Sequence, residues 1–426
     1  MSIDDSFLHL YSYEDTIRIA RRAADIPSPV PTPGGGTDDE VSALSESVST
    51  AYETIVHWRK NLFEVPSSAV GRRFVKELAT WLQHFNAETK FRPIAIKTFL
   101  ILPALLLQKP SANSKRAEHK KLLEARLDLW ERRDISELLR SGNTIQKRLV
   151  TSRKTKKEDV ARRFYNLMFE GKVTAAVRML CQAENKGVLP FSDETMTLLK
   201  KKHPCPTGIR SDTLLNGPVR KTSQEYFSAI DAGMISRAAK WTKGAAGPSS
   251  TDADFFRFIL LHKSFKSAGQ ELREESARFA RIIASEYLNP ETLDAYVNCR
   301  LIPLDKCPGL RPIGIGETFR RIIGKAISWS LKKDIQEMAG PLQVCTGLRS
   351  GSEAAVHFIR EQFEKETAEA CILVDASNAF NAVNRQVMLH NIQRQLPEFA
   401  PIAINMYRSQ LPISIQNYAL KYSENI

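Results

Sequence analysis

Between about residues 51 and 240 the apolar positions recur at helical spacing. In "GRRFVKELATWLQHF" Phe74, Leu78, Leu82 and Phe85 fall at i, i+4, i+8 and i+11, which is one face of a helix. "RAEHKKLLEARLDLWERRDISELLRSG" continues in that style, and the spacing predicts a helix that stops at Ser141–Gly142. "KKEDVARRFYNLMFEGKVTAAVRMLCQAENKGVLPFSDETMTLLKKKHP" predicts three short helices; Gly171 and Gly187 end the first two and Pro204 follows the third. The most apolar run, "TFLILPALLL" at 98–107, is ten residues long and contains Pro103. It is too short to span a bilayer and reads as buried core. Residues 25–50 are rich in Pro, Gly, Ser and acid, the composition of a disordered linker, and residues 5–24 have the pattern of a short amphipathic helix.

The pattern changes near residue 240. In "KWTKGAAGPSSTDADFFRFILLHKSF" the Gly-Pro-Ser step breaks the chain, and Ser249, Ser250 or Thr251 is placed to cap a helix beginning around Asp252. Next, "RLIPL" and "LRPIGIG" are short apolar strands joined by "DKCPG", a hairpin signal that presents Arg300, Lys306 and Arg311 close together. "ETFRRIIGKAISWSLKKDIQEM" predicts a helix with Phe319, Ile322, Ile323, Ala326, Ile327 and Leu331 on one side and Arg320, Arg321 and Lys325 on the other. A Gly-containing loop and a helix capped near Ser350–Ser352 follow. "ILVDASNAFNAVNR" then reads as a strand that delivers Asp375 to its tip. The fold class expected is an α-helical N-terminal region followed by an incomplete α/β (α+β) part.

Charge adds to this outline. The 426-residue chain carries 61 Lys and Arg against 48 Asp and Glu, net +13, unevenly spread. Residues 1–50 hold a net −6 and residues 51–170 a net +12, from 25 basic and 13 acidic side chains. An anionic partner, most often nucleic acid, fits that excess, although basic runs such as Arg162–Arg163 also suit a solvated helix face. No interleaving of aromatic and basic residues stands out as a stacking platform. The six cysteines, at 181, 205, 299, 307, 345 and 371, show no zinc or redox spacing and fit a reducing compartment. The N-terminus lacks a signal-peptide pattern, which fits an intracellular protein.

The order "RLIPLDK…RPIGIG…FRRIIGK…QVCTGLRSGSEAA…ILVDASNAFNAVNR" resembles the fingers and first half of the palm of a retroelement reverse transcriptase, in the style of non-long-terminal-repeat retrotransposons. The resemblance divides the chain into an acidic disordered segment (1–50), a basic helical extension (51–240) and fingers with partial palm (241–426). It implies RNA-templated DNA synthesis in nucleus or cytoplasm, with RNA template, DNA or RNA primer and dNTP as partners, no membrane, and Mg²⁺ as cofactor. Asp375 matches the first palm aspartate, with the Ala376 carbonyl as a further metal ligand. Phe380 matches an aromatic gate beneath the sugar. Arg311, and Lys306 less closely, match the fingers residues that hold a triphosphate. Gln343 and Gly347 match a structural or template-facing turn. Taken alone, each has a plainer reading: Asp375 a strand-end acid, Phe380 core, the cations an exposed hairpin.

The family's aromatic-x-Asp-Asp and Gln-Gly palm motifs have no counterpart here; the two Asp-Asp pairs, Asp4–Asp5 and Asp38–Asp39, lie in the acidic segment. One carboxylate does not hold two Mg²⁺ ions about 4 Å apart. The chain is therefore expected to have no polymerase activity alone and to leave a sheet edge open. The alternative is a non-catalytic nucleic-acid-binding remnant of such an element.

Overall fold

A computed structural model describes residues 38–150, 157–184, 187–190, 192–204, 208–220, 223–306, 309–346, 348–365, 368–408, 413–415 and 418–420. The helix expected at 5–24 lies outside them. Helix α1 (Asp38–Ile55) already occupies the end of the segment expected to be disordered. The reason is periodicity: Leu44, Val48, Ala51, Tyr52 and Ile55 line one face and are all buried.

Helices α2 (Ala69–Asn86) and α3 (Arg92–Leu106) form the centre. Phe74, Leu78, Leu82 and Phe85 are buried on α2, as their spacing predicts. Helix α3 is apolar nearly all round, and α1, α2 and α12 (Pro290–Val297) pack on it. The last carbonyls of a helix lack partners of their own. Here the buried Arg126 guanidinium donates to Leu106 O at 3.0 Å and Gln108 O at 2.8 Å, closing the end of α3.

The helix predicted over 116–142 is two helices, α4 (Arg116–Glu131) and α5 (Ile135–Val150). Arg133, with φ 63°, turns the chain between them. Ser141–Gly142 is no stop. Gly142 lies inside α5 because the Trp58 ring occupies the space of a β-carbon, and Trp58 Nε1 donates to Asn143 Oδ1 at 3.0 Å. The three short helices follow as α6 (Lys157–Phe169), α7 (Val173–Glu184) and α8 (Asp193–Lys202). Gly171 (φ 68°) and Gly187 (φ 65°) adopt the left-handed turns that favour glycine.

Helices α9 (Ala232–Trp241), α10 (Ala253–Leu261) and α11 (Lys266–Ser285) come next. Asp252 itself caps α10, accepting from Phe255 N at 2.9 Å; Ser249, Ser250 and Thr251 are buried elsewhere. Strands β1 (Cys299–Asp305) and β2 (Leu310–Gly316) form the expected antiparallel hairpin. The apolar run after it divides at buried Leu331 into α13 (Thr318–Ser330) and α14 (Lys332–Ala339). The predicted apolar face of α13 is buried throughout. Helices α15 (Gly351–Glu364), α16 (Ala379–Ala382), α17 (Arg385–Gln395) and α18 (Ala400–Tyr407) complete the helical part. Strands β3 (Ile413–Ile415) and β4 (Tyr418–Leu420) extend the sheet in the order β2-β1-β3-β4, with β1 and β3 parallel.

Among the described residues the apolar packing runs across residue 240. One hydrophobic cluster holds residues from Leu44 to Leu138 together with residues from Phe227 to Leu331 and Ile402 and Met406. Phe99 of α3 and Phe319 of α13 meet at its centre, 4.6 Å between ring centroids.

Candidate nucleic-acid interface

The hairpin is built by register. Leu304 pairs with Arg311 and Asp305 with Leu310, and Lys306 N donates to Gly309 O at 3.0 Å across the turn. Lys306 and Arg311 are exposed at this tip and form no ion pair among the described residues. Arg300 does not join them. It pairs with Ile315, four positions from Leu304, about 13 Å along the strand. Arg300 is half-buried at the hairpin base, where burial lowers its pKa and the Glu317 charge opposes that shift.

Two supports hold the hairpin. The first is α8. Leu189 N donates to Pro303 O and Asp305 N to Gly187 O, each at 2.9 Å, so the segment before α8 lies along the outer half of β1. Leu199 of α8 then shares a small apolar cluster with Leu301 and Leu310. Helix α8 ends in Lys200, Lys201 and Lys202, cations that suit the negative end of its dipole. The chain after Leu310 and the chain after Leu199 therefore carry their cations, Arg311 and Lys200, away from one apolar contact.

The second support is the loop 244–251. Glu317, between β2 and α13, is fully buried, with Oε1 accepting Ser249 N–H at 2.7 Å and Oε2 accepting Ser249 Oγ–H at 2.6 Å. Thr318 Oγ1 donates to Thr251 O at 2.7 Å, and Arg321 donates to Lys243 O at 2.7 Å and to Ala245 O. Arg320 likewise donates to Val297 O at 3.0 Å. Arg320 and Arg321, read in the sequence as an outward polar face, thus bind carbonyls of neighbouring segments. Gly247 is required, since a β-carbon there would strike the backbone of Glu317. Burial pushes the Glu317 carboxyl up to about 7 against the lowering effect of the Ser249 bonds.

The remaining sequence candidates are placed as follows. Gln343 is exposed in the turn before α15, where its Oε1 accepts Cys345 N–H at 3.1 Å. Gly347 lies outside the described residues. Asp375 is not at a strand tip: residues 371–376 form no strand, and Ile372, Leu373 and Val374 are 87–88% exposed. A strand needs a neighbour for its backbone groups, and the described strands pair elsewhere. Asp375 and Ala376 are exposed. Phe380 is 98% exposed and is not core.

As arranged, Asp375 and Ala376 do not fit a two-ion Mg²⁺ centre. Among the described residues no three His, Cys, Asp or Glu side chains gather as a metal ion would need. The asparagines after Asp375 are structural: Asn378 (φ 55°) donates to Lys202 O at 2.7 Å, and Asn384 caps α17 through Val387 N at 3.1 Å. The Asn378 bond ties the Asp375 segment to the lysine-bearing end of α8.

Glu317, Ser249 and the partnership of α8 with the hairpin are not legible from spacing. Glu317 reads locally as an acid at a helix start, and "LKKKHP" as a helix end; their partners are 68 residues away for Glu317 and over a hundred for Leu199, which meets Leu301 and Leu310. Among the described residues no helix is long and apolar enough to cross a membrane. No family model matches the chain, and no curated protein or solved structure matches it either.

Proposed function

We propose that the protein is a reverse-transcriptase-like nucleic-acid-binding protein whose fingers-like hairpin grips the phosphate backbone of a template–primer duplex. The observation that carries this reading is the pairing of two exposed cations at the hairpin tip, Lys306 and Arg311, with the lysine end of the helix beneath it. Support also comes from the order of the five sequence motifs around that hairpin. Arg offers a fork to phosphate oxygens and Lys a mobile point charge. Binding rather than nucleotidyl transfer is the reading favoured, because Asp375 stands exposed and, among the described residues, without a gathered set of carboxylates.

Titrating an RNA–DNA hybrid with the purified chain between about 50 and about 250 mM salt tests it. Affinity is expected to fall steeply, by roughly 0.9 in log K per log salt for each phosphate neutralised. Lys306→Glu with Arg311→Glu is expected to weaken binding and flatten the slope by about one for each phosphate that is no longer neutralised. A salt-independent affinity, or a slope untouched by these variants, would overturn the proposal.

A further inference from the structure

Helices α6 and α7 pack chiefly on each other. Phe164 and Leu167 of α6 are half-buried, Ala176 of α7 is buried, and Gly171 makes the tight turn that joins the two helices. Among the described residues no other element packs extensively on α6. Arg162, Tyr165, Asn166 and Phe169 fall at i, i+3, i+4 and i+7, one stripe of the helix, and all four are exposed. Tyr165 is 62% and Phe169 90% accessible, so two aromatic rings are left in water.

We infer that this stripe is a stacking platform for the unpaired bases of a single-stranded nucleic acid, a second binding surface distinct from the hairpin. The inference rests on the nucleic-acid-binding reading above. Tyr165 and Phe169 are four residues apart, about 6 Å along the helix axis, close to the roughly 7 Å spanned by two base steps. One base therefore fits between or across the rings. Phe164 meets the Tyr165 ring edge-on, centroids 6.1 Å apart, which braces it from the inner side. Charge selects the occupant. Arg162 and Arg163 form no ion pair among the described residues, and the sequence from 151 to 165 holds six basic residues against two acidic ones. A guanidinium beside rings meets a phosphate beside bases, the pairing by which single strands are held without sequence preference. Val173 and Val177, exposed on α7, have no π face and serve as the control for a protein docking surface.

The test uses the full chain, a labelled oligouridylate of about 12 nucleotides and the RNA–DNA hybrid, read by fluorescence anisotropy. Tyr165→Ala with Phe169→Ala is expected to weaken single-strand binding by about tenfold or more and to leave the hybrid within about twofold. Phe169→Trp should retain affinity, Phe169→Leu should weaken binding as much as the single change Phe169→Ala, and Val173→Ser with Val177→Ser should bind as wild type. Single-strand affinity that ignores removal of both rings overturns the inference. So does Phe169→Leu binding as wild type, which would mark the face as an apolar protein-docking surface. Failure of the wild-type chain to bind either probe removes the parent reading as well; hybrid binding with ring-indifferent single-strand binding removes this inference alone.

Discussion

Glu317 closes on Ser249 with both carboxylate oxygens, one on the backbone N–H and one on the hydroxyl, in a fully buried setting. The bond joins residues 68 positions apart and fixes the exit of the hairpin to the loop before α10. Burial raises the carboxyl from its ordinary value to about 7. The folded state then binds a proton that the unfolded chain releases near pH 4.5. The resulting stabilisation is complete below that value and is lost as pH rises through about 7, roughly 3 kcal/mol in all. Glu317→Gln keeps an acceptor for the N–H and removes the titration. Thermal melts from pH 5 to 8, flanking the raised value near 7, should show a shallower decline for the variant than for wild type. Identical pH profiles would refute the assignment.

Arg126 is the internal cap of α3. Its guanidinium donates to two carbonyls, and burial alone pulls its pKa down to about 10. Arg126→Met fills the space but orphans both acceptors, so a loss of about 2–4 kcal/mol in urea unfolding is expected. Arg126→Lys should recover only part of it, because the lysine ammonium ends one bond short of Nη1, the nitrogen that makes both bonds, and is more strongly hydrated. A methionine variant as stable as wild type would show that water satisfies those carbonyls.

Gly142 is a notch for a ring. Any side chain there displaces Trp58, which also donates to Asn143. Gly142→Ala should cost about 1–3 kcal/mol by overpacking, even though alanine is the better helix former. Trp58→Phe in the same chain should relieve part of the clash, and a double-mutant cycle measures that coupling. Additive effects would place the cost elsewhere.

Asp375 makes no hydrogen bond or ion pair among the described residues and lies in exposed coil. Asp375→Ala is therefore expected to shift unfolding by less than about 0.5 kcal/mol. In a primer-extension assay with RNA template, dNTPs and Mg²⁺, neither the 426-residue wild type nor the variant is expected to give product. Product from the wild type that disappears on Asp375→Ala would move the proposed function from binding to catalysis.

Local pattern accounts for a good part of this molecule. The apolar faces of α2 and α13, the burial of 98–107, the three helices after residue 157, the turns at Gly171 and Gly187 and the β1–β2 hairpin are all written in residue spacing, because each depends on neighbours within a few positions. What depends on distant partners was not. The segment 371–376 has strand composition but no neighbouring strand among the described residues, so Asp375 lies in coil. Ser141–Gly142 had the chemistry of a helix stop, but Trp58 packs there and the helix continues. Arg300 shares a hairpin with Lys306 and Arg311, yet register carries it to the base beside Glu317. Exposure, too, is a tertiary quantity: α6 reads as an ordinary amphipathic helix until its neighbours are known, and only then do Tyr165 and Phe169 stand in water. Spacing determines which face of an element is apolar; whether that face is covered, and by what, is decided where the chain returns to it.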